Sequence, residues 1–396
     1  MTPSQSPGAT PSRRLPVLVA FLPGTRGPPV SDTLDVGSAG AALGERADGW
    51  LDATDLPTGG SERLPVTVVN GADDGPVLWV TGGVHGDEAT GVAVAQDVAG
   101  VAADHAADLA GAVVAVPVVN PAGLRRSERT SYYGGDDPNR HFPDTDRDAS
   151  RPPETQERID TRLFEALTDS ADLLVDCHTA QVGSMPFTIR DRVLYGDARG
   201  EADATELAAD LDRLAGALGL PVLTEYPAEE YVEQSLQRST AGAALNTAGI
   251  PAVTAELGGH SVVEAAARRA GVAGVVAAAV EFGLLPSVPE GVAAAGADVP
   301  AAPVEFPVRR FVGPRAESAG LVRHRVAVGE AVAAGDVVAE VVTPHGEVIE
   351  RVESDRDGYV IGRAEGLAVY EGQAVATMAV RDDGDLVVPR DAGEDG

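Results

Sequence analysis

The sequence predicts an α/β fold: a mixed central sheet with helices on both faces, followed by a small C-terminal all-β domain resembling a barrel-sandwich. Two observations predict it. Short β-branched runs alternate with Ala-rich helical stretches from about residue 31 to 290, the pattern of a sheet covered by helices. Beyond a Pro/Ala/Gly-rich linker at 286–303 the helical period disappears, and Val-rich runs are separated by Gly, Pro or acidic turns.

In the first region, strands are expected at 66–69, 77–81, 113–119, 173–176, 187–189, 222–225 and 252–256. Helices are expected at 89–101, 154–167, 203–218, 235–247 and 262–282. Ligands of such sheets collect beyond the carboxyl ends of strands. His85, His178 and Glu256 all fall at expected carboxyl ends. In the tail, 304–385, the stretch from Gly320-Leu321-Val322 to Gly335-Asp336-Val337 echoes Gly358-Tyr359-Val360 to Gly372-Gln373-Ala374. Two similar halves of about 38 residues suggest pseudo-two-fold symmetry.

Residues 1–30 read as a disordered Pro/Ser-rich leader. Arg13-Arg14 before the apolar segment 15–22 faintly resembles a twin-arginine export signal. That segment is short, contains Pro16 and lacks a small-x-small cleavage site, so a cytoplasmic location is expected.

The 396 residues carry a net charge of -31, from 30 basic and 61 acidic residues. Every basic residue is arginine. Such a surface repels nucleic acid and anionic membranes, and no apolar run is long enough to span a bilayer. The acidity suits a halophilic protein hydrated in high salt; a strongly acidic protein from a high-GC genome would share the same bias. Without lysine there is no Schiff-base chemistry, no Gly-Lys-Ser/Thr phosphate loop and no lysine-linked carrier domain in the tail. No Gly-x-Ser-x-Gly elbow is present. Cys177 is the single cysteine, so an internal disulfide is excluded.

The chemistry gathers at three places. Gly82-Gly83-Val84-His85-Gly86-Asp87-Glu88 follows an apolar strand and opens a helix. An imidazole and a carboxylate three residues apart can face one ion there, and His178, in Val175-Asp176-Cys177-His178-Thr179, offers a third ligand. Two His and one Glu form a ligand set of hydrolytic zinc sites with an open water position. Asp176 can orient the His178 imidazole, whereas Cys177 alternates to the other face. The loop from Asn120 through Arg129 to Asp137-Pro138-Asn139-Arg140-His141-Phe142 is dense in groups that hold carboxylates. Glu256 follows a mostly apolar run, where desolvation would raise its pKa toward that of a general base.

These residues resemble the succinylglutamate desuccinylase/aspartoacylase family, zinc hydrolases related in fold to metallocarboxypeptidases. The resemblance covers about 31–290, and the β tail is similar to the family's C-terminal module. It rests on Gly-x-His-Gly-Asp-Glu at 83–88, the Asp-Leu-Asn-Arg-x-Phe type motif at 137–142 and Glu-Leu-Gly-Gly at 256–259. It implies one zinc ion on His85, Glu88 and His178, with Glu256 as general base and later proton donor. Asn139 and Arg140 are implied as clamps for a substrate carboxylate. Arg129 is implied to steady the oxyanion, with Arg125 and Arg126 as competitors, and Arg238 to bind substrate. Pro138 departs from the family's usual leucine; it removes a backbone donor and presses Asp137 toward extended geometry.

The activity so implied is zinc-dependent hydrolysis of a linear amide in a small N-acyl amino acid or related compound, by a chain that can form homo-oligomers. A metallocarboxypeptidase acting on peptides is the alternative, separable by assaying N-acyl amino acids against blocked dipeptides. A catalytically inactive binding protein is a further one, separable by zinc content.

Overall fold

The computed structural model describes residues 33–144, 151–196, 198–295 and 300–390. The expected leader lies outside them. The described residues belong to one compact unit.

A 12-stranded sheet runs through that unit. Its central strands, in spatial order, are Val222–Thr224, Phe187–Arg190, Ala252–Gly259, Leu173–Ala180, Asp73–Gly82, Ala110–Val116, Ser61–Asn70 and Arg46–Asp55. Four of them, from Ala252–Gly259 to Ala110–Val116, pair in parallel, and antiparallel pairs flank this block. The sheet is therefore mixed, as the sequence predicts.

Parallel strands are buried on both faces, which explains the near-continuous apolar runs. Val77, Leu78, Trp79 and Val80 are buried, as are Leu173, Leu174 and Val175. The buried Trp79 indole nitrogen is paired, donating to the Ser170 hydroxyl at 3.1 Å. The helices Ala89–Asp104, Glu201–Ala217 and Ala265–Glu281 cover the sheet, turning small residues such as Ala95, Ala99 and Gly271 inward.

Every strand and helix expected between 66 and 282 is present with shifted ends, except that 235–247 is not one helix. It divides into a 3-10 turn at Leu236–Arg238, a helical turn at Thr240–Ala243 and a π turn at Ala244–Ala248. Ser239 has extended backbone and its hydroxyl accepts from the Gly242 amide at 2.9 Å, so it caps a new turn and ends the one before. The N-terminal strands Thr33–Val36, Ala39–Ala42 and Arg46–Asp55 were not expected from the sequence pattern. Their residues are mostly exposed or half-buried, so apolar alternation is weak there.

The tail repeats a three-strand pattern. Gly320–His324, Ala331–Val332 and Val337–Val342 correspond to Gly358–Arg363, Ala368–Val369 and Ala376–Arg381, as the internal echo suggests. These strands enclose their own apolar cluster, including Val322, Val338, Val341, Val360 and Met378. The tail also extends the central sheet. Val308–Val312 pairs in parallel with Val222–Thr224, and Ala376–Arg381, Gly358–Arg363 and Ala331–Val332 follow it. A second apolar cluster, with Phe187, Ile189, Leu223, Tyr359 and Ile361, seals this junction. The expected linker contains a short helix, Glu290–Ala295.

One close approach sets how the first helix sits behind the site. A Cβ on Gly91 would stand 2.2 Å from the Cys177 carbonyl oxygen. That atom belongs to a central strand and cannot yield, so Gly91→Ala must push the helix outward. The overpacking should cost about 1–3 kcal/mol despite alanine's better helix propensity. We expect calorimetry to show a thermal midpoint lower by about 2–4 °C per kcal/mol; an unchanged midpoint would refute this packing.

Candidate active site

His85 lies in the turn after Asp73–Gly82, and Gly83 makes that turn with a φ of 61°, which glycine adopts without strain. Glu88 is the N-cap of the following helix. His178 and Glu256 sit late in the adjacent parallel strands, directly opposite each other in register. The four side chains meet at one end of the sheet although His85 and Glu256 are far apart in sequence.

His85, Glu88 and His178 are all buried, and each offers a ligand atom within 4.8 Å of the others. The His85 Nδ1 is 2.7 Å from Glu88 Oε1, and the His178 Nδ1 is 2.9 Å from Glu88 Oε2 and 3.2 Å from the His85 Nδ1. The other nitrogen of each ring is anchored on a carboxylate. His178 Nε2 is 2.7 Å from Asp176, whose second oxygen accepts from the Thr81 hydroxyl at 2.6 Å. His85 Nε2 is 3.0 Å from Asp137. With Nε2–H donating outward, both Nδ1 lone pairs face the Glu88 carboxylate. This donor set fits a divalent cation, and the carboxylates behind the rings fix their tautomers.

The electrostatics agree. Burial opposes charge on Glu88, but the His85 and His178 imidazoles outweigh it and hold the carboxyl well below its usual range. Burial also opposes a charged His178; the Asp176 and Glu88 carboxylates prevail and raise its pKa well above the ordinary value. The negative field that draws a proton to these rings would equally draw a metal cation. Glu256 responds in the opposite sense: desolvation, reinforced by Glu88, raises its pKa. Its buried Oε2 has no hydrogen-bond partner.

These groups line a cavity of about 290 Å³. Arg129 lines it too, with Nη1 3.3 Å from Glu88 and Nη2 3.0 Å from Asp137. Its two competitors are engaged elsewhere. Arg125 grips the buried Glu62 at 2.6 Å, and Arg126 stacks on the Tyr132 ring. Asn139 and Arg140 also line the cavity, in the Pro138–Arg140 3-10 turn. Pro138 occupies the first position of that turn, where a missing N–H costs little, and Asp137 is extended and caps the Asn139 amide at 2.9 Å. The Asn139 side-chain oxygen accepts from the Thr240 amide and hydroxyl, which leaves its Nδ2 for a ligand.

Arg238 does not line the cavity. Its guanidinium donates to the Phe142 and His141 carbonyls at 3.2 and 3.3 Å, so it fastens the end of the turn that carries Asn139 and Arg140. Cys177 is buried on the opposite side of its strand from His178, and burial pushes its thiol upward, as expected for a core residue.

Several cavity residues escaped the sequence reading. Asp191, Glu225, His260, Arg310 and Glu365 carried no signal, because each lies in or just after an ordinary strand. Arg310 and Glu365 come from the tail. Glu365 bridges to His260 Nε2 at 2.8 Å and to the Val182 amide at 2.7 Å, joining tail and sheet at the cavity rim.

A family model for the succinylglutamate desuccinylase/aspartoacylase catalytic domain matches residues 74–280, just over half the chain, a span that includes His85, Glu88, His178 and Glu256. The chain belongs to that family. Among curated relatives, the N-alpha-acetyl-L-2,4-diaminobutyric acid deacetylase of Halomonas elongata is 28% identical over 369 residues, covering 90% of this chain and 97% of that enzyme. Among solved structures, a family protein from Rhodobacter sphaeroides superposes with a TM-score of 0.65 at 25% identity, covering 85% of this chain and 96% of that one. The product-bound ectoine utilization protein of Ruegeria pomeroyi shares the fold, with a TM-score of 0.63 at 24% identity over 85% and 95% of the two chains. The family's members are deacylases, and the buried His85–Glu88–His178 cluster is a site that could bind a metal.

The carboxylate behind His178 provides a direct test of the metal site. In Asp176→Asn the ring loses its anionic anchor, and metal affinity should fall about 10–100-fold. Competition with a fluorescent chelator measures this; unchanged affinity would show that Asp176 does not tune the site.

Proposed function

We propose that the protein is a zinc-dependent deacylase that hydrolyses the linear amide of a small N-acyl amino acid or related N-acyl compound, releasing a carboxylate and a free amine. The observation that carries this reading is the buried, unpartnered Oε2 of Glu256 in the same cavity as the His85–Glu88–His178 cluster. A raised carboxyl with a free oxygen beside a metal-ligand set is the arrangement a hydrolase needs for proton transfer.

Zinc on His85, Glu88 and His178 would supply Lewis acidity and a water of lowered pKa. Glu256 takes a proton from the attacking water at Oε2 and later delivers it to the leaving nitrogen. Arg129 faces the same point and offsets negative charge developing on the carbonyl oxygen. Arg140 and the Asn139 amide nitrogen hold a substrate carboxylate, while Arg238 keeps their turn in place. The small cavity and the Glu365–His260 bridge at its rim support a small substrate over a peptide chain. The diaminobutyrate-type substrate named for the Halomonas elongata relative belongs to this class. The single buried thiol accords with a cytoplasmic site of action.

Two measurements test the proposal. The zinc-loaded protein, assayed in high salt, should hydrolyse members of a panel of N-acyl amino acids and leave blocked dipeptides intact. Glu256→Gln keeps the shape but cannot carry the proton, so kcat should fall about 10²–10⁴-fold with zinc content unchanged by atomic emission. Full turnover in that variant would remove Glu256 from the mechanism.

A further inference from the structure

The strand Ser61–Asn70 overhangs its neighbour. Thr67 pairs with Ala115 of Ala110–Val116, so residues 61–65 run on past the end of that strand, at the end of the sheet where the candidate site lies. Glu62 sits on this overhang and is 1% exposed. A carboxylate removed from water needs partners for both oxygens. Glu62 finds them in a single loop. Arg125 Nη1 and Nη2 donate to its Oε1 and Oε2 at 2.6 and 2.9 Å, and the Tyr133 hydroxyl donates to Oε1 at 2.5 Å.

Arg125 and Tyr133 stand four residues before and four residues after Arg129. One buried carboxylate therefore gathers both flanks of the segment that carries the cavity arginine. The middle of the segment is held at the backbone. The Arg129 carbonyl accepts from the Gly86 amide at 3.3 Å and from the Asn120 side-chain amide at 3.5 Å, and Gly86 directly follows His85. Ser127, two residues before Arg129, has a φ of 52°, a conformation that a serine keeps only where its surroundings over-determine it. The Arg129 side chain is half-exposed and has two acidic partners, Glu88 and Asp137. Its place against the His85–Glu88–His178 cluster thus depends on how firmly the loop is held. Glu62 does not line the cavity, so it acts on the site through that loop.

We propose that Glu62 is a positioning residue for the reaction: by gripping Arg125 and Tyr133 it sets where the Arg129 guanidinium stands in the cavity. The inference rests on the deacylase reading, in which Arg129 offsets charge on the carbonyl oxygen, and adds to it a residue remote from the reacting atoms. Loss of the Glu62 charge loosens both flanks of Arg129 and frees the Arg125 guanidinium to compete for the same carboxylates. A displacement of about 1 Å at a group that meets the transition state is enough to cost about 10²-fold in rate.

The test is a double-mutant cycle on the zinc-loaded protein, run with the N-acyl amino acid of the panel that the wild type hydrolyses fastest. Glu62→Gln keeps the shape of the side chain and removes its charge. It should lower kcat about 10–100-fold, with KM within about twofold and zinc content unchanged, because the interaction it disturbs is made in the transition state. Arg129→Gln should lower kcat about 10²–10³-fold, and the double variant should be no slower than Arg129→Gln alone. If Glu62→Gln fails to fold, Tyr133→Phe takes its place in the same cycle, with a smaller loss of kcat expected. Losses that multiply, a rise in KM with kcat intact, or wild-type kinetics in the variant would overturn the proposal and leave the deacylase reading standing. Hydrogen exchange on the full chain reads the loop apart from activity. The Gly86 amide should exchange about tenfold faster or more in Glu62→Gln, while amides of Leu173–Ala180 keep their wild-type rates. Should no panel compound be hydrolysed, the deacylase reading fails, and exchange decides the positioning separately: faster exchange confined to Gly86 and its loop supports it, and an unchanged Gly86 rate rejects it.

Discussion

The site depends on a balance of buried charge. Glu88 and Asp176 are removed from water within hydrogen-bond reach of two imidazoles, Glu256 is buried in the adjacent strand, and the half-exposed Arg129 brings a permanent positive charge to Glu88. Ionised groups in such a place cost several kcal/mol each unless they are paired. The geometry answers this by making every member serve two others. Glu88 touches both imidazoles and accepts the Thr179 amide at 3.0 Å; Asp137 touches His85, Arg129 and the Asn139 amide. A cation at the centre of the donor set would complete the balance, while the buried Oε2 of Glu256 stays without a hydrogen-bond partner.

That balance sets the architecture around it. Parallel pairing of the Asp73–Gly82, Leu173–Ala180 and Ala252–Gly259 strands brings the ligand-bearing turn, His178 and Glu256 to one end of the sheet. The tail shares in this work. By continuing the sheet past Val222–Thr224 it delivers Arg310 and Glu365 to the cavity wall. A separately folded appendage on a flexible linker could not hold those two side chains in register with the strands that carry His178 and Glu256.

Much of this was legible from local pattern. Alternating apolar runs and Ala-rich stretches identified the central strands and helices, since burial on both faces of a parallel sheet leaves a continuous apolar signature. His85 and Glu88 were legible because three residues span one turn between a strand and a helix. Less was visible at Arg238. The family resemblance implies a substrate contact, yet its guanidinium donates to the His141 and Phe142 carbonyls, which only a contact across about 96 residues brings within reach. The three-way division of 235–247 was hidden for a similar reason: Ser239 ends one turn and caps the next, while the distant Asn139 holds the Thr240 amide.

By itself, the sequence determined the class of fold, the chemistry of the ligand set and the absence of any lysine-based mechanism. Those follow from residue type, period and short spacing. Only the tertiary structure decided which arginine reaches the His85–Glu88–His178 cluster, that the tail forms part of the cavity wall, and that Asp191 and Glu225 line the same cavity. The physical reason is that such choices turn on strand register and on competition among distant partners. Glu62 captures Arg125, Tyr132 captures Arg126, and Arg129 is left for the site. No local stretch of sequence encodes the outcome of that competition.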